Sequence, residues 1–358
     1  MKNLDNQQLY KKLDTSNMHE RISNLPQQCR QAWQSAITLP LPKDFKKINR
    51  LIIIGMGGSA IGGDLLRTLV NLQSTVDVSV ARDYELPKSI DKNTLVIASS
   101  YSGNTEETIS AFNQALGTPC KKFVITTGGK ISELAAQNGV PLFSFGYSSE
   151  PRAALGYSFF SLLAFLRNLH IIPDEILNID ETLKTLKKIS AKLSKDIPIK
   201  KNAAKQLATK LYDHLVIVYG AGILSSVAYR WKTQINENSK AWAFSETLPE
   251  LNHNAVVGYK FPAKSADKIF VIMLRTSKLH PRTFKRYDIT SDILSKANVP
   301  HEIIDAEGNT PLCQMMSSIL LGDYVSYYLA MLYEINPSPV EIINYLKQQL
   351  SLFNSQIK

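Results

Sequence analysis

Cysteine is scarce and poorly spaced for any structural use. Cys29, Cys120 and Cys313 are the only three in 358 residues. An odd number at distant positions gives neither a disulfide framework nor a zinc pattern. No cluster of His, Cys, Asp or Glu has metal-ligand spacing, so neither a metal nor an organic cofactor is expected. Long apolar runs are missing too, none approaching the roughly 18 residues that span a bilayer. The opening stretch MKNLDNQQLYKKLD is polar, without the apolar core of a signal peptide. A cytoplasmic protein with no membrane partner is the expectation.

Concentrated basic stripes are also lacking, although the formal net charge is +10 and the pI is near 9.3. Lys121–Lys122, Lys187–Lys188 and Lys200–Lys201 are only pairs. Nothing alternates aromatic and basic residues in the way that stacks nucleic-acid bases. No nucleic-acid partner is expected. A diffuse positive field attracts small phosphorylated anions instead.

What remains is an ordinary globular composition, 44% hydrophobic and 20% charged, in a chain long enough for two domains. Residues 1–47 read as a helical segment, with LPQQCRQAWQSA its clearest periodic piece. The pattern then becomes α/β. Apolar strands at 50–54, 75–81, 94–99 and 122–126, and the short PLFSF, alternate with helical stretches. This argues for a parallel sheet covered on both faces. A helical stretch from Ala153 to about His170 completes a first domain, 48–180, and the Lys-rich segment 181–205 reads as a helical connector. A second domain, 206–335, repeats the opening more weakly: strand LVIVY, glycine turn Gly220-Ala221-Gly222, helix, and later strands at 268–274 and 301–304. Residues 336–358 read as a C-terminal helix.

Two loops carry chemistry. Gly55-Met-Gly57-Gly58-Ser59-Ala60-Ile-Gly62-Gly63 joins a strand end to a helix start, where backbone N–H groups can meet an anion. It also fits the dinucleotide pattern through Gly55, Gly57 and Ala60, with Asp83 as a ribose-binding acid. The second loop, SYSGNTEET, presents Ser99, Ser100, Ser102 and Thr105 at another helix start. A hydroxyl cluster of this kind holds a phosphate dianion through neutral donors. A dinucleotide fold has no use for it. Simple helix capping would need only one or two such residues.

GMGGSAIGG followed by SYSGNTEET resembles the sugar isomerase (SIS) domain. The run Pro151-Arg152-Ala153-Ala154-Leu155-Gly156 resembles the bifunctional phosphoglucose/phosphomannose isomerase family, as do Asn236-Glu237-Asn238-Ser239-Lys240 and Pro249-Glu250-Leu251-Asn252-His253-Asn254. The resemblance covers about residues 48–350. It implies two tandem SIS domains of α/β class and an aldose–ketose isomerase acting on glucose 6-phosphate and fructose 6-phosphate, with mannose 6-phosphate as a second substrate.

That resemblance also assigns roles. Glu237 becomes the base that moves a proton between C2 and C1, and His253 the ring-opening group, entering from the second subunit of a homodimer with shared sites. Arg152 becomes the stabiliser of the enediolate, and Lys347 the lysine that assists at the ring oxygen. Gly57, Gly58, Ser59, Ser100, Ser102 and Thr105 hold the phosphate. The chemistry is consistent with these types, since a carboxylate can shuttle a proton, histidine titrates near neutrality and arginine stays charged. Relatives that use both sugars carry a small hydroxyl-bearing residue near the terminal lysine. Ser338 lies nine residues before Lys347 and Val340 seven before it, and the sequence leaves that position open. A sugar-phosphate sensor without catalysis is the alternative of a different class. It has no need of Glu237, His253 and Lys347.

Overall fold

Three helices come first: α1 (Gln7–Leu13), α2 (Met18–Ser23) and α3 (Leu25–Ile37). The run RLIII then forms β1 (Arg50–Ile54), buried at its last four residues. A strand apolar on both faces belongs at the centre of a covered parallel sheet. The computed structural model, which describes residues 2–356 and the side chains of residues 2–352, puts it there. After β1 come α4 (Gly57–Val70), β2 (Asp77–Ala81), β3 (Thr94–Ser100), α5 (Glu106–Leu116), β4 (Lys121–Thr126), α6 (Gly129–Gln137) and β5 (Leu142–Ser144). These five strands form one parallel sheet in the order β2-β1-β3-β4-β5.

Between the sheets the chain is helical, with a 3-10 turn at Pro151–Ala154, then α7 (Leu155–Asn168), α8 (Asp174–Leu177), α9 (Ile179–Leu193) and α10 (Ala203–Leu211). The lysines of α9 lie on its outer side. Its inner side buries Leu183, Leu186, Ile189 and Leu193, so most of the Lys-rich segment packs into the common core. The second sheet follows with β6 (Leu215–Gly220), α11 (Ser225–Asn238), β7 (Ala243–Thr247), β8 (Ile269–Arg275), α12 (Pro281–Lys296) and β9 (His301–Asp305). Its parallel order, β7-β6-β8-β9, copies the first four strands of the other sheet. The helix α13 (Pro311–Leu332) is buried over nearly its whole length, as a helix apolar all round must be. It packs on α9, α10 and α11. The chain ends in α14 (Glu341–Gln356), whose residues 341–352 are exposed. Among the described residues no helix is long and apolar enough to cross a membrane.

In both sheets the strand order reverses beside the first strand, opening a crevice at the carboxyl ends of β1 and β3 and of β6 and β8. Ligands of open α/β sheets bind at such switch points. The two crevices differ. In the second, Gln314 of α13 is buried and fills the loop after β8. It accepts from Thr276 Oγ1 at 2.5 Å and Ser277 N at 3.2 Å, and donates to Ser277 Oγ at 2.7 Å and Gly308 O at 2.8 Å. Polar groups of that loop are thus engaged by Gln314.

Candidate active site

Helices α4 and α5 both begin in the first crevice, and neither receives a side-chain cap from its N-cap residue. The N-cap of α4 is Met56 and that of α5 is Thr105, whose side chain makes no capping bond. The first-turn N–H groups of both helices therefore lack side-chain caps, and the serines and threonine around them cluster at the same two helix starts. The loops are tied to each other. Tyr101 N donates to Ser59 Oγ at 3.0 Å, and Ser99 Oγ donates to Ser59 O at 3.1 Å. Ser100 Oγ reaches Thr105 Oγ1 at 3.3 Å, while Ser102 is exposed at the rim. Gly57 has φ of +48°, a left-handed conformation that turns the chain sharply into α4.

Gly58 joins this cradle to a cation. A Cβ at position 58 would lie 2.8 Å from the backbone N of Arg152 and from the carbonyl carbon of Pro151. Only glycine lets α4 approach the Pro151–Ala154 turn this closely. Arg152 is buried, and nearly all its donors are fixed. Nε donates to Asn238 Oδ1 at 2.7 Å, and Nη2 donates to Pro337 O at 2.7 Å and Ser338 O at 2.8 Å. Its Nη1 makes only a long contact, 3.4 Å, with Glu237 Oε2. Nη1 is thus the least engaged of its nitrogens. Burial lowers the Arg152 pKa, and the neighbouring Glu237 and Glu150 carboxylates oppose that shift. A guanidinium remains charged regardless.

Glu237 comes from the last turn of α11, on the second sheet, and is partly open to solvent. The domains meet here because α4 and α11 follow equivalent strands and pack together, with Ser226 Oγ donating to Asp64 O at 3.1 Å. Behind Arg152 lies the buried pair Arg230–Asp323, with Nη2 to Oδ2 at 2.7 Å. The same Nη2 donates to Arg152 O at 3.2 Å. Desolvation raises the pKa of Asp323, and Arg230 pulls it back. Such a pair fixes the turn that carries Arg152.

A hydroxyl-rich pair of helix starts, a fixed buried cation and a carboxylate beside it therefore converge from two domains. Comparison with known proteins shows the family. Residues 44–142 match the SIS domain model, and residues 200–350 match the model of the bacterial phospho-glucose isomerase C-terminal SIS domain. A bifunctional phosphoglucose/phosphomannose isomerase of Caldicellulosiruptor bescii is 42% identical over 93% of this chain and 99% of its own length. The chain belongs to the bifunctional phosphoglucose/phosphomannose isomerase family. A second such enzyme, from Aquifex aeolicus, is 34% identical over 87% of this chain and 93% of its own. The crystal structure of a hypothetical protein from Thermus thermophilus superposes with a TM-score of 0.72. The match covers 96% of this chain and 92% of that one at 18% identity, a likeness of fold alone.

As a member of that family the chain brings some of its sequence-predicted site residues together and leaves others apart. Gly57, Gly58, Ser59, Ser100, Ser102, Thr105, Arg152 and Glu237 line one region. His253 ends the 3-10 turn Glu250–His253 and is exposed. Lys347 is exposed on α14, a helix with few contacts to the rest of the chain. Neither makes a hydrogen bond or ion pair with Glu237 or Arg152 among the described residues. Sequence reasoning overlooked Asn238, Arg230, Asp323 and Lys240. Asn238 and Lys240 stood inside the quoted NENSK run, but nothing in a single sequence tells a buried asparagine from a solvated one.

The cradle makes a direct prediction. Replacing Ser102 and Thr105 together by Ala should weaken fructose 6-phosphate binding by about 3 kcal/mol, since each hydrogen bond to a charged group contributes roughly 1.5–3 kcal/mol. Calorimetry reads this as a dissociation constant raised on the order of a hundredfold. Equal affinity for the double variant and the wild type would put the phosphate elsewhere.

Proposed function

We propose that the chain interconverts glucose 6-phosphate and fructose 6-phosphate, and also mannose 6-phosphate and fructose 6-phosphate, by proton transfer through a cis-enediolate. One observation carries the reading. Arg152 bridges the two halves of the site, with its backbone against Gly58 and its free Nη1 3.4 Å from the Glu237 carboxylate. A sugar phosphate held at one end by the cradle then presents C1 and C2 to a base and a cation fixed relative to each other. Glu237 takes the proton from C2 and returns it to C1, or the reverse. The Arg152 Nη1 donors meet the negative charge that grows on the oxygens between those steps. The base and cation are what a sensor would not need. No electron leaves the substrate, so proton transfer within the protein suffices.

Ring opening falls to His253 and Lys347, and both are carried on surface that calls for cover. Val257 and Phe261, a few residues beyond His253, are each 80% exposed. Ile342, Tyr345 and Leu346 of α14 are 76%, 58% and 58% exposed. Isolated exposed apolar residues are ordinary, but a group on each element that bears a distant site residue marks an interface. A homodimer in which each His253 completes the partner's pocket accounts for both groups, and two-fold symmetry makes the two pockets equivalent. The cytoplasm is the compartment we assign, with the reaction serving glycolysis or gluconeogenesis.

Ser338 supports the use of mannose 6-phosphate. It is buried, its carbonyl holds Arg152, and its hydroxyl has no hydrogen-bond partner among the described residues. A buried hydroxyl without a partner is unfavourable unless a ligand supplies one. Val340 has no polar group to offer. A coupled assay on the three hexose 6-phosphates, with and without EDTA, tests the whole reading. All three should turn over unaffected by the chelator. Ser338→Ala should reduce turnover of mannose 6-phosphate by about tenfold, as for one lost hydrogen bond, and of glucose 6-phosphate by less. Inactivity of the wild type on every one of them would reject the isomerase reading.

A further inference from the structure

Two residues past the end of α11 the backbone adopts an unfavourable conformation. Lys240 has φ of +53°, the left-handed region in which helices usually terminate on glycine or asparagine. The turn lets Ala241 N reach Ile235 O at 3.4 Å, which explains a left-handed residue at 240 but not a lysine, and strain of this sort persists where the surroundings require it. The side chain gives the reason. Its stem is exposed, but its ammonium turns back and donates to the carbonyl of Glu237 and, at 3.1 Å, to the carbonyl of Pro337. Arg152 Nη2 donates to that same Pro337 oxygen at 2.7 Å and to Ser338 O at 2.8 Å. Two cations thus converge on one carbonyl of the 336–340 linker, which leads into the helix of Lys347.

We propose that Lys240 is a positioning residue for the isomerase reaction, clamping the 336–340 linker to the end of α11 and so holding Arg152 and Glu237 in register. The inference rests on the reading of Glu237 as base and Arg152 as enediolate cation. Without the clamp, α11 keeps its helix, but the linker and the Arg152 fork lose their common anchor. Arg152 then has a choice of carbonyls to follow, and its free Nη1 no longer meets the substrate at a fixed place. A small misplacement of a group that acts only in the transition state lowers turnover more than binding.

The charge of Lys240 is part of the device. Partial desolvation and the nearby Arg152 guanidinium lower its pKa to about 8, with Glu237 and Glu150 pulling the other way. These are the charged groups that face it. Glu237 comes from α11, Arg152 and Glu150 from the 3-10 turn and its N-cap, and the linker offers only carbonyls. Glu150 is itself paired with Arg21 of α2. A lysine whose pKa is lowered is protonated at neutral pH and loses its proton as pH rises through about 8. Its two bonds then cease to be charge-assisted and weaken.

The test compares pH–rate profiles on fructose 6-phosphate for the wild type, Lys240→Arg, Lys240→Met and Lys240→Gly. The wild type should show kcat falling above about pH 8. Lys240→Met should lose about tenfold or more in kcat at about pH 7 with KM within about twofold, and its kcat should no longer fall through that alkaline range. Lys240→Arg should recover most of the activity and carry the alkaline fall beyond about pH 10, because a guanidinium stays charged. Lys240→Gly separates positioning from folding. Glycine relieves the left-handed backbone, so the variant should melt no lower than the wild type and yet be as slow as Lys240→Met. Normal kcat in Lys240→Met or in Lys240→Gly, or an unchanged alkaline limb in Lys240→Met, would overturn the clamp. If the wild type and Glu237→Gln turn over alike, the base assignment itself has failed, and this inference falls with it.

Discussion

Glu237→Gln should fold, bind fructose 6-phosphate and turn it over about a thousand times more slowly than the wild type, or slower still. The substitution keeps the shape of the side chain and removes its capacity to accept a proton. A positioned acid–base group contributes roughly two to four orders of magnitude, and here one carboxylate serves both carbons, so the upper half of that range applies. Stability should change little. The Glu237 side chain is 29% exposed and its ion pair with buried Arg152 is long, 3.4 Å, so neutralising it removes a weak counter-charge. Arg152 retains its bonds to Asn238, Pro337 and Ser338. Exchange of the substrate's C2 hydrogen with solvent should fall in parallel with turnover. A folded Glu237→Gln enzyme with near-normal exchange would transfer the base role to another group.

The contrast between the two sheets explains which parts of this site the sequence could reveal. β1 and the strand TLVIAS are buried on both faces, so their apolar runs are unbroken and the loops after them stand out. In β7 only Ala243 is buried, and Glu246 and Thr247 are exposed. It is an edge strand with no period to read. The strand expected from Thr75 begins at Asp77, because a polar, exposed start gives no boundary signal. Helix α9 was legible as a helix but not as a core element, since its lysines dominate its composition while five residues spaced along one side do the packing.

The site divides in the same way. Gly58 and Ser59 could be recognised because a glycine turn before a helix has few other uses, whereas the burial of Arg152 depends on carbonyls nearly two hundred residues away. No local pattern announces that. Resemblance supplied Arg152, Glu237, His253 and Lys347, and among the described residues the first two are in contact. The repeat of the strand–glycine turn–helix opening was visible too, but which copy keeps its cradle was not. Nor was Gln314 legible as the side chain that fills the loop after β8, since it is a single glutamine on a helix that reads as plain core.

Mixing Glu237→Gln and His253→Ala proteins, each inactive alone, should restore activity once subunits exchange. His253 is exposed on its own chain and makes no hydrogen bond or ion pair with Glu237 or Arg152 among the described residues, and the proposed homodimer supplies it to the pocket from the other copy. In a mixed dimer with crossed sites, one pocket then receives both lesions and the other receives neither. If subunits mix statistically, half of the dimers are mixed and half of their sites are intact, so recovery should reach about a quarter of wild-type activity. The two starting proteins supply the baseline, with His253→Ala reduced because ring opening loses its proton-exchanging group. The opposite architecture gives a different number. If the loop of His253 folds onto its own chain's pocket, every site in every dimer keeps a single lesion, and the mixture stays at the baseline. A mixture held at baseline while labelled subunits demonstrably exchange would discard the crossed dimer, yet leave the roles of Glu237 and Arg152 standing, because those two residues meet within one chain.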